Sequence, residues 1–366
     1  MIPINKPIMG KEEADAVLKV IESGVLTNPM PEGGPNLQAF ESELQSFSGA
    51  RHAIAVNSGT AALQISLLAC GVGPSDEVVV PSFTFMATAS AVVLIGARPV
   101  FVDIDRDSYN MSPKAFKKAI TKKTKAVIPV DLYGLPADMD EINGIAKANN
   151  ITVIEDACQA QGASYKGKMA GTLGDMGCYS FYPAKVMTTG EGGAVVTNDD
   201  SLAEKLRRAR THGQVMGYDS VMLGGNFRMP EMEAAMGMVQ LKKLPGFLVK
   251  RRENAKSLVW ALRGAKVWMP EVPMEMRHNW YLFTVKLASA MQRDDVKARL
   301  LEAGFGAAVY YPIPVHRTPY YAGLGYGKLN LPETEDAVAR VLSLPVNPIV
   351  NEDDISRMAD VIKKSQ

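Results

Sequence analysis

The sequence predicts an α/β protein: a mainly parallel sheet covered by helices on both faces, followed by a smaller C-terminal α/β domain. Three observations carry this. Short, almost continuous apolar runs alternate with segments of helical pattern, as expected for strands buried on both faces. A chain of 366 residues is too long for one small core. After about residue 246 the pattern changes to basic and amphipathic helices with few strands.

The elements follow in order. Residues 53–56 read as a strand and 59–70 as a helix that Gly71-Val72-Gly73-Pro74 closes. Residues 78–80 are a buried strand, 86–95 an apolar helix, and 99–102 a strand running into Asp103. Strands at 126–130 and 151–154 flank a helix at 139–148. Residues 179–181 and 194–197 are further strands, and 202–210 and 231–241 are helices. Lys250-Arg251-Arg252 is expected to open a basic helix, with a strand at 280–287 and helices at 294–301 and 352–364. The expected domains are therefore 1–245 and 246–366, with the N-terminal segment packing on the second.

Hydrophobic residues make up 47% and charged residues 22%, the range of soluble globular proteins. A formal net charge of +1 favours neither nucleic acid nor a membrane surface as partner. The apolar stretch 85–102 is broken by Gly96, Arg98 and Pro99, and reads as helix then strand instead of a membrane span. The N-terminus lacks the apolar run of a signal peptide. Cys70, Cys158 and Cys178 form no CxxC pair or zinc spacing, and His212 and His316 no metal pattern. A reducing, cytoplasmic setting without a metal is expected.

Chemistry-bearing residues cluster after the strands, where ligands of such sheets bind. Asn57-Ser58-Gly59-Thr60 joins a strand to a helix. Its free N–H groups, with the hydroxyls of Ser58 and Thr60, suit an anion such as phosphate; an ordinary cap by Ser58 explains the same residues. Asp156 ends an apolar strand, where a carboxylate can pair with a protonated ring nitrogen, or simply cap a turn. Lys185, in Tyr182-Pro183-Ala184-Lys185-Val186, has apolar and small flanks and is expected to point inward. Burial disfavours an ammonium and frees an amine to form a Schiff base with an aldehyde cofactor. Gly190, Gly192 and Gly193 allow a tight turn behind it. Phe83 and Phe85 offer a ring for stacking or for the core, and Arg228 a phosphate or carboxylate contact or an exposed loop position.

Taken in order, Asn57–Leu63, Glu155-Asp156-Ala157, Ser180-Phe181 with Lys185, and Gly190-Glu191-Gly192-Gly193 resemble the DegT/StrS-type aminotransferases. Phe40-Glu41, 99–103, Gly225–Met229, Gln240-Leu241 and 342–345 extend the resemblance over nearly the whole chain. The resemblance implies pyridoxal-5′-phosphate (PLP) fold type I, with a sheet of the seven-stranded type. It implies amino transfer from an amino acid, expected to be glutamate, to a nucleotide-linked keto sugar. Lys185 would bind PLP and shuttle the proton, and Asp156 would meet the pyridinium nitrogen. Gln159 would touch the ring oxygen, Phe85 stack on the ring, and Ser58, Gly59, Thr60 and Ser180 hold the phosphate. Asn226 would reach the phosphate of a second copy, giving a homodimer, and Tyr310, Tyr311 and His316 would contact substrate. On resemblance a C4-keto hexose is expected. A PLP lyase or desulfurase, and a PLP-binding regulator without turnover, are the alternatives.

Overall fold

The computed structural model of the chain describes residues 1–365. Its central sheet has seven strands: β1 (His52–Val56), β2 (Glu77–Pro81), β3 (Arg98–Val102), β4 (Thr124–Val127), β5 (Thr152–Asp156), β6 (Met176–Ser180) and β7 (Gly193–Thr197). Their spatial order is β1-β7-β6-β5-β4-β2-β3. Every neighbouring pair is parallel except those of β7, which runs antiparallel to both β1 and β6. The sheet is thus mainly parallel, as the continuous apolar runs require.

Alternate residues of one strand enter different cores, the period of two that a pleated sheet dictates. Val78 and Val80 pack with Ile54, Phe101 and Ile154 under α3 (Gly59–Ala69), α4 (Ala87–Leu94) and α7 (Asp200–Arg210). Val79 joins Val102, Val127 and Val153 on the opposite face, under α5 (Pro113–Ala119) and α6 (Met139–Ala148). That face continues as Ala53, Ala55, Tyr179 and Val196 against Leu37, Phe40 and Leu44 of α2 (Pro35–Ser48). α1 (Lys11–Ser23) lies along α8 (Glu231–Ala261). Neither α1 nor α2 was expected from the sequence.

Two expectations need correction. β4 stops at Val127 instead of Val130, because Pro129 has no N–H to give the ladder; its carbonyl still accepts from the Asp156 N–H at 2.8 Å. The boundary at 245/246 falls inside α8, which runs through Pro245 and Gly246 without a break, so Lys250-Arg251-Arg252 opens no new helix. The buried stripe Leu241, Leu244, Leu248, Arg251, Ala255, Leu258 crosses that point at helical spacing, and this packing outweighs the backbone bond that proline removes.

The C-terminal core gathers the end of α8, the antiparallel pair β8 (Phe283–Lys286) and β9 (Val341–Leu344), α9 (Ala290–Glu302) and the last helix Glu352–Lys364. The N-terminal segment packs here: Ile2 bridges to Phe305, and Asn347 Nδ2 donates to the Pro3 and Ile4 carbonyls. Residues 315–331 do not stay with this domain. Val315, Tyr321 and Leu331 return to the core under α3 and α4, drawn by the aromatic cluster around Phe101.

Candidate active site

The carboxyl ends of β5 and β6, the start of α3 and the loop after β6 converge on a cavity of about 390 Å³. Asp156 and Lys185 both line it, as do Ser58, Gly59, Thr60 and Ser180. Phe85, Gln159, Tyr310 and Tyr311 complete the expected residues along its wall.

Asp156 is buried at the end of β5. Thr88 Oγ1 donates to its Oδ2 at 2.9 Å, and the Cys158 N–H reaches Oδ1 at 3.3 Å. Thr84 Oγ1 lies 2.9 Å from Thr88 Oγ1, so a short hydroxyl chain supports the carboxylate. Thr88 was not singled out from the sequence; it is a polar position on α4, in a run that reads as apolar.

Ser58 does cap α3: its Oγ accepts from the Ala61 N–H at 3.0 Å. The first-turn N–H groups of Gly59 and Thr60 have no carbonyl one turn earlier to bond, and both residues face the cavity. A side chain at 59 would stand 2.8 Å from Ser180 Cβ and 3.0 Å from Cys158 Sγ, so glycine lets the helix start sit directly on β6. Ser180 Oγ accepts from the Tyr182 N–H at 3.4 Å.

Lys185 sits on a turn closed by its own N–H to the Tyr182 carbonyl, 2.9 Å. Thr188 anchors that loop, donating through Oγ1 to the Phe181 carbonyl at 2.8 Å and through N–H to Gln240 Oε1 at 3.3 Å. Lys185 is only half-buried. Its Nζ lies 4.8 Å from the ring centroid of Tyr281, a residue no motif marked. Gln159 is held on both sides: Oε1 accepts from the Tyr133 N–H at 2.8 Å, and Nε2 donates to Tyr311 Oη at 3.1 Å. Burial pushes the Tyr311 phenol well up, so it stays protonated. Half-exposed Phe85 has its ring centroid 6.0 Å from that of Tyr311.

Two expected residues stand elsewhere. His316 is fully buried outside the cavity, with Nδ1 2.6 Å from Ser82 Oγ and Nε2 accepting from Arg317 Nε at 3.3 Å. Burial, then the Arg317 charge, lowers its pKa. It packs within the returning segment and does not line this cavity. Asn226 is absent from the cavity wall of its own chain; its carbonyl accepts from Asn57 Nδ2 at 3.3 Å. Cys158 touches the cavity, but burial, then Asp156, pushes its thiol well above the usual range. A desulfurase needs a thiolate, and this environment opposes one.

The donor set fits PLP: an amine for its aldehyde, a buried carboxylate for its ring nitrogen, and helix-start N–H groups for its phosphate. Comparison with known proteins agrees with that chemistry. The model of the DegT/DnrJ/EryC1/StrS aminotransferase family matches residues 7–363. A pleiotropic regulatory protein of Geobacillus stearothermophilus is 43% identical over 87% of this chain and 86% of its own length. A UDP-N-acetyl-3-dehydro-alpha-D-glucosamine 3-aminotransferase of Acidithiobacillus ferrooxidans is 42% identical, covering 90% of this chain and 88% of its own. The crystal structure of DesV from S. venezuelae, in complex with a ketimine intermediate, superposes with a TM-score of 0.92 at 36% identity, over 99% of this chain and 98% of that one. A match over almost every residue makes this chain a member of the DegT/DnrJ/EryC1/StrS aminotransferase family.

Proposed function

We propose that this aminotransferase binds PLP through Lys185 and moves an amino group from glutamate to C3 of a nucleotide-linked keto sugar. The observation that carries the reading is the meeting of Lys185 and Asp156 in one cavity with the start of α3. PLP bound here would supply an electron sink for the substrate carbon that loses its proton. Asp156, backed by Thr88, keeps the ring nitrogen protonated. Lys185 Nζ takes the proton from the carbon that bears nitrogen and returns it on the other side of the transfer, as general base and then acid. Gly59, Thr60 and Ser180 would hold the phosphate, and Gln159 Nε2 would keep one hydrogen for the ring oxygen.

Amination at C3 replaces the C4 expectation because the relative with 42% identity is named for the 3-keto sugar. Asn226 would act in the cavity of a second copy, in a cytoplasmic homodimer whose three cysteines stay reduced. The relative named as a regulator supports a second reading, binding without turnover. Borohydride reduction followed by peptide mapping is expected to fix the cofactor on Lys185. Incubation with glutamate and a panel of UDP- and dTDP-linked 3-keto and 4-keto sugars is expected to yield a 3-amino product. Lys185→Ala should abolish it. Label on Lys185 without product from any sugar would favour the regulator; label on another residue ends the proposal.

A further inference from the structure

Tyr281 lies in no motif, yet it is firmly held in the cavity wall. Its backbone is fixed at both ends. The N–H donates to Asn279 Oδ1 at 2.8 Å. The carbonyl accepts from Arg251 Nη1 at 3.2 Å and from Asn5 Nδ2 at 3.5 Å. Asn279 in turn donates to the carbonyls of Gln159 and Gln161 at 2.8 and 3.0 Å, which ties Tyr281 to the segment following Asp156. Gly134, at φ +100°, makes room for this bolt: a Cβ there would fall 1.8 Å from Asn279 Oδ1. The ring so held is 7% exposed and carries the Lys185 ammonium 4.8 Å from its centroid. No carboxylate lies within ion-pair distance of Lys185 among the described residues. The π face is therefore the contact this cavity offers the cation, while the carboxylates of Asp156 and Glu191 line the same cavity beyond ion-pair distance.

We infer that Tyr281 is the resting seat of the protonated Lys185 in the apoprotein and beside the amine form of the cofactor, and that the ring thereby stabilises the aminated half of the cycle. The inference rests on the reading that Lys185 carries PLP. An ammonium and an aldehyde give a protonated imine and one water, with charge unchanged; the lysine nitrogen then lies at the cofactor and leaves the ring. With pyridoxamine phosphate no such bond forms, and the ammonium stays seated. The ring thus favours the amine form of the cofactor over the aldehyde form.

The test is the ratio of dissociation constants of the apoprotein for pyridoxamine phosphate and PLP, in which packing losses common to both forms cancel. Tyr281→Leu is expected to shift the ratio about 3- to 10-fold toward PLP, the range of a partly desolvated cation–π contact; Tyr281→Phe should stay within about twofold. Phenylalanines bearing one, two and three fluorines at position 281 keep the shape while draining the π face. They should move the ratio stepwise toward the leucine value, and they decide the matter if the leucine variant does not fold. A flat ratio across the fluorinated series overturns the seat. Borohydride mapping on each protein separates the failures: label absent from Lys185 sinks the proposed function, whereas label present with a flat ratio sinks only the role of Tyr281.

Discussion

At the residue scale, the Thr88–Asp156 hydrogen bond sets how well the acid can serve a ring nitrogen. Thr88→Val deletes a bond to an ionised group, worth about 1.5–3 kcal/mol, and should lower kcat/KM about tenfold or more while leaving the fold intact. Thr88→Ser should recover most of the loss, and steady-state kinetics on the three proteins checks it. A second acid, Asp131, stands directly behind the site. It is fully buried, its N–H donates to the Asp156 carbonyl at 3.1 Å, and Oδ2 has no donor. Burial, then the negative charge of Glu155, raises its pKa well above the ordinary 3.8. Three backbone N–H groups, from Gly171, Leu173 and Gly174, surround Glu155, so the shared proton belongs on Asp131. A raised folded-state pKa means that its contribution is complete below the unfolded value and is lost as pH rises toward the folded one. Asp131→Asn keeps a hydrogen for Glu155 at every pH. Its urea midpoint should therefore gain on the wild type progressively as pH rises above the ordinary carboxylate range; a constant difference would show that no proton is taken up. Lys185 and Asp156 were legible in the sequence because polar groups just past apolar strands have few other reasons to be there. Tyr281, Thr88 and Asn279 were not, because their roles are contacts between segments far apart in the chain and leave no local pattern.

At the element scale, one buried ion pair joins three pieces of structure. Arg210, at the end of α7, reaches Glu41 on α2 at 2.5 Å and the Ala55 carbonyl on β1 at 2.9 Å, while Glu41 also accepts the Ala55 N–H at 2.8 Å. Losing one partner leaves the other charge buried and unpaired, which costs about 3–5 kcal/mol. Arg210→Met should lower stability by that amount, and the double variant with Glu41→Leu should recover a large part of it, as read from urea midpoints. The same elements show what sequence patterning can and cannot reach. The sheet strands were readable because burial on both faces makes them continuously apolar. The helices Met139–Ala148 and Glu352–Lys364 match the sequence expectation to the residue, and the structure shows an Asp138 cap on one and an Asn351 capping box on the other. α2 was missed although Leu37, Phe40 and Leu44 are spaced as one helical face, because polar residues separate them and Glu231, which satisfies the N–H groups of Asn36 and Leu37, lies far along the chain. Pro245-Gly246 reads as a stop, and only the packing of α8 against two cores shows that it is not one.

At the scale of the whole molecule, the two cores are coupled by α8 and by the first residues of the chain, and this coupling has a measurable consequence. Arg251, in the middle of α8, is buried, its pKa is pushed down to about 10 by that burial, and its Nε has no acceptor. Its Nη1 bonds the Trp280 and Tyr281 carbonyls, and its Nη2 bonds Asn5 Oδ1 at 2.8 Å. Deleting residues 1–5 removes that last acceptor, together with the carbonyls of Pro3 and Ile4 that Asn347 uses. The Ile2 bonds to Gly304 and Gly306 and the Asn5 bond to the Tyr281 carbonyl go too, so one hydrogen bond to a buried charge and five neutral ones are lost, on the order of 5 kcal/mol in total. The loss falls on the C-terminal domain, which carries all three tryptophans, at 260, 268 and 280, with Trp280 packed on its core. Cofactor absorbance reports instead on the central sheet. In the full chain the two signals should change together on urea titration, as one cooperative unit requires. In the truncated chain the tryptophan signal should move to lower urea first, with Tyr281 loosened and the Lys185 seat weakened. Coincident transitions in the truncated protein would mean that α8 alone holds the two cores together, and that the N-terminal segment is not needed to keep Arg251 and Tyr281 in register with the site.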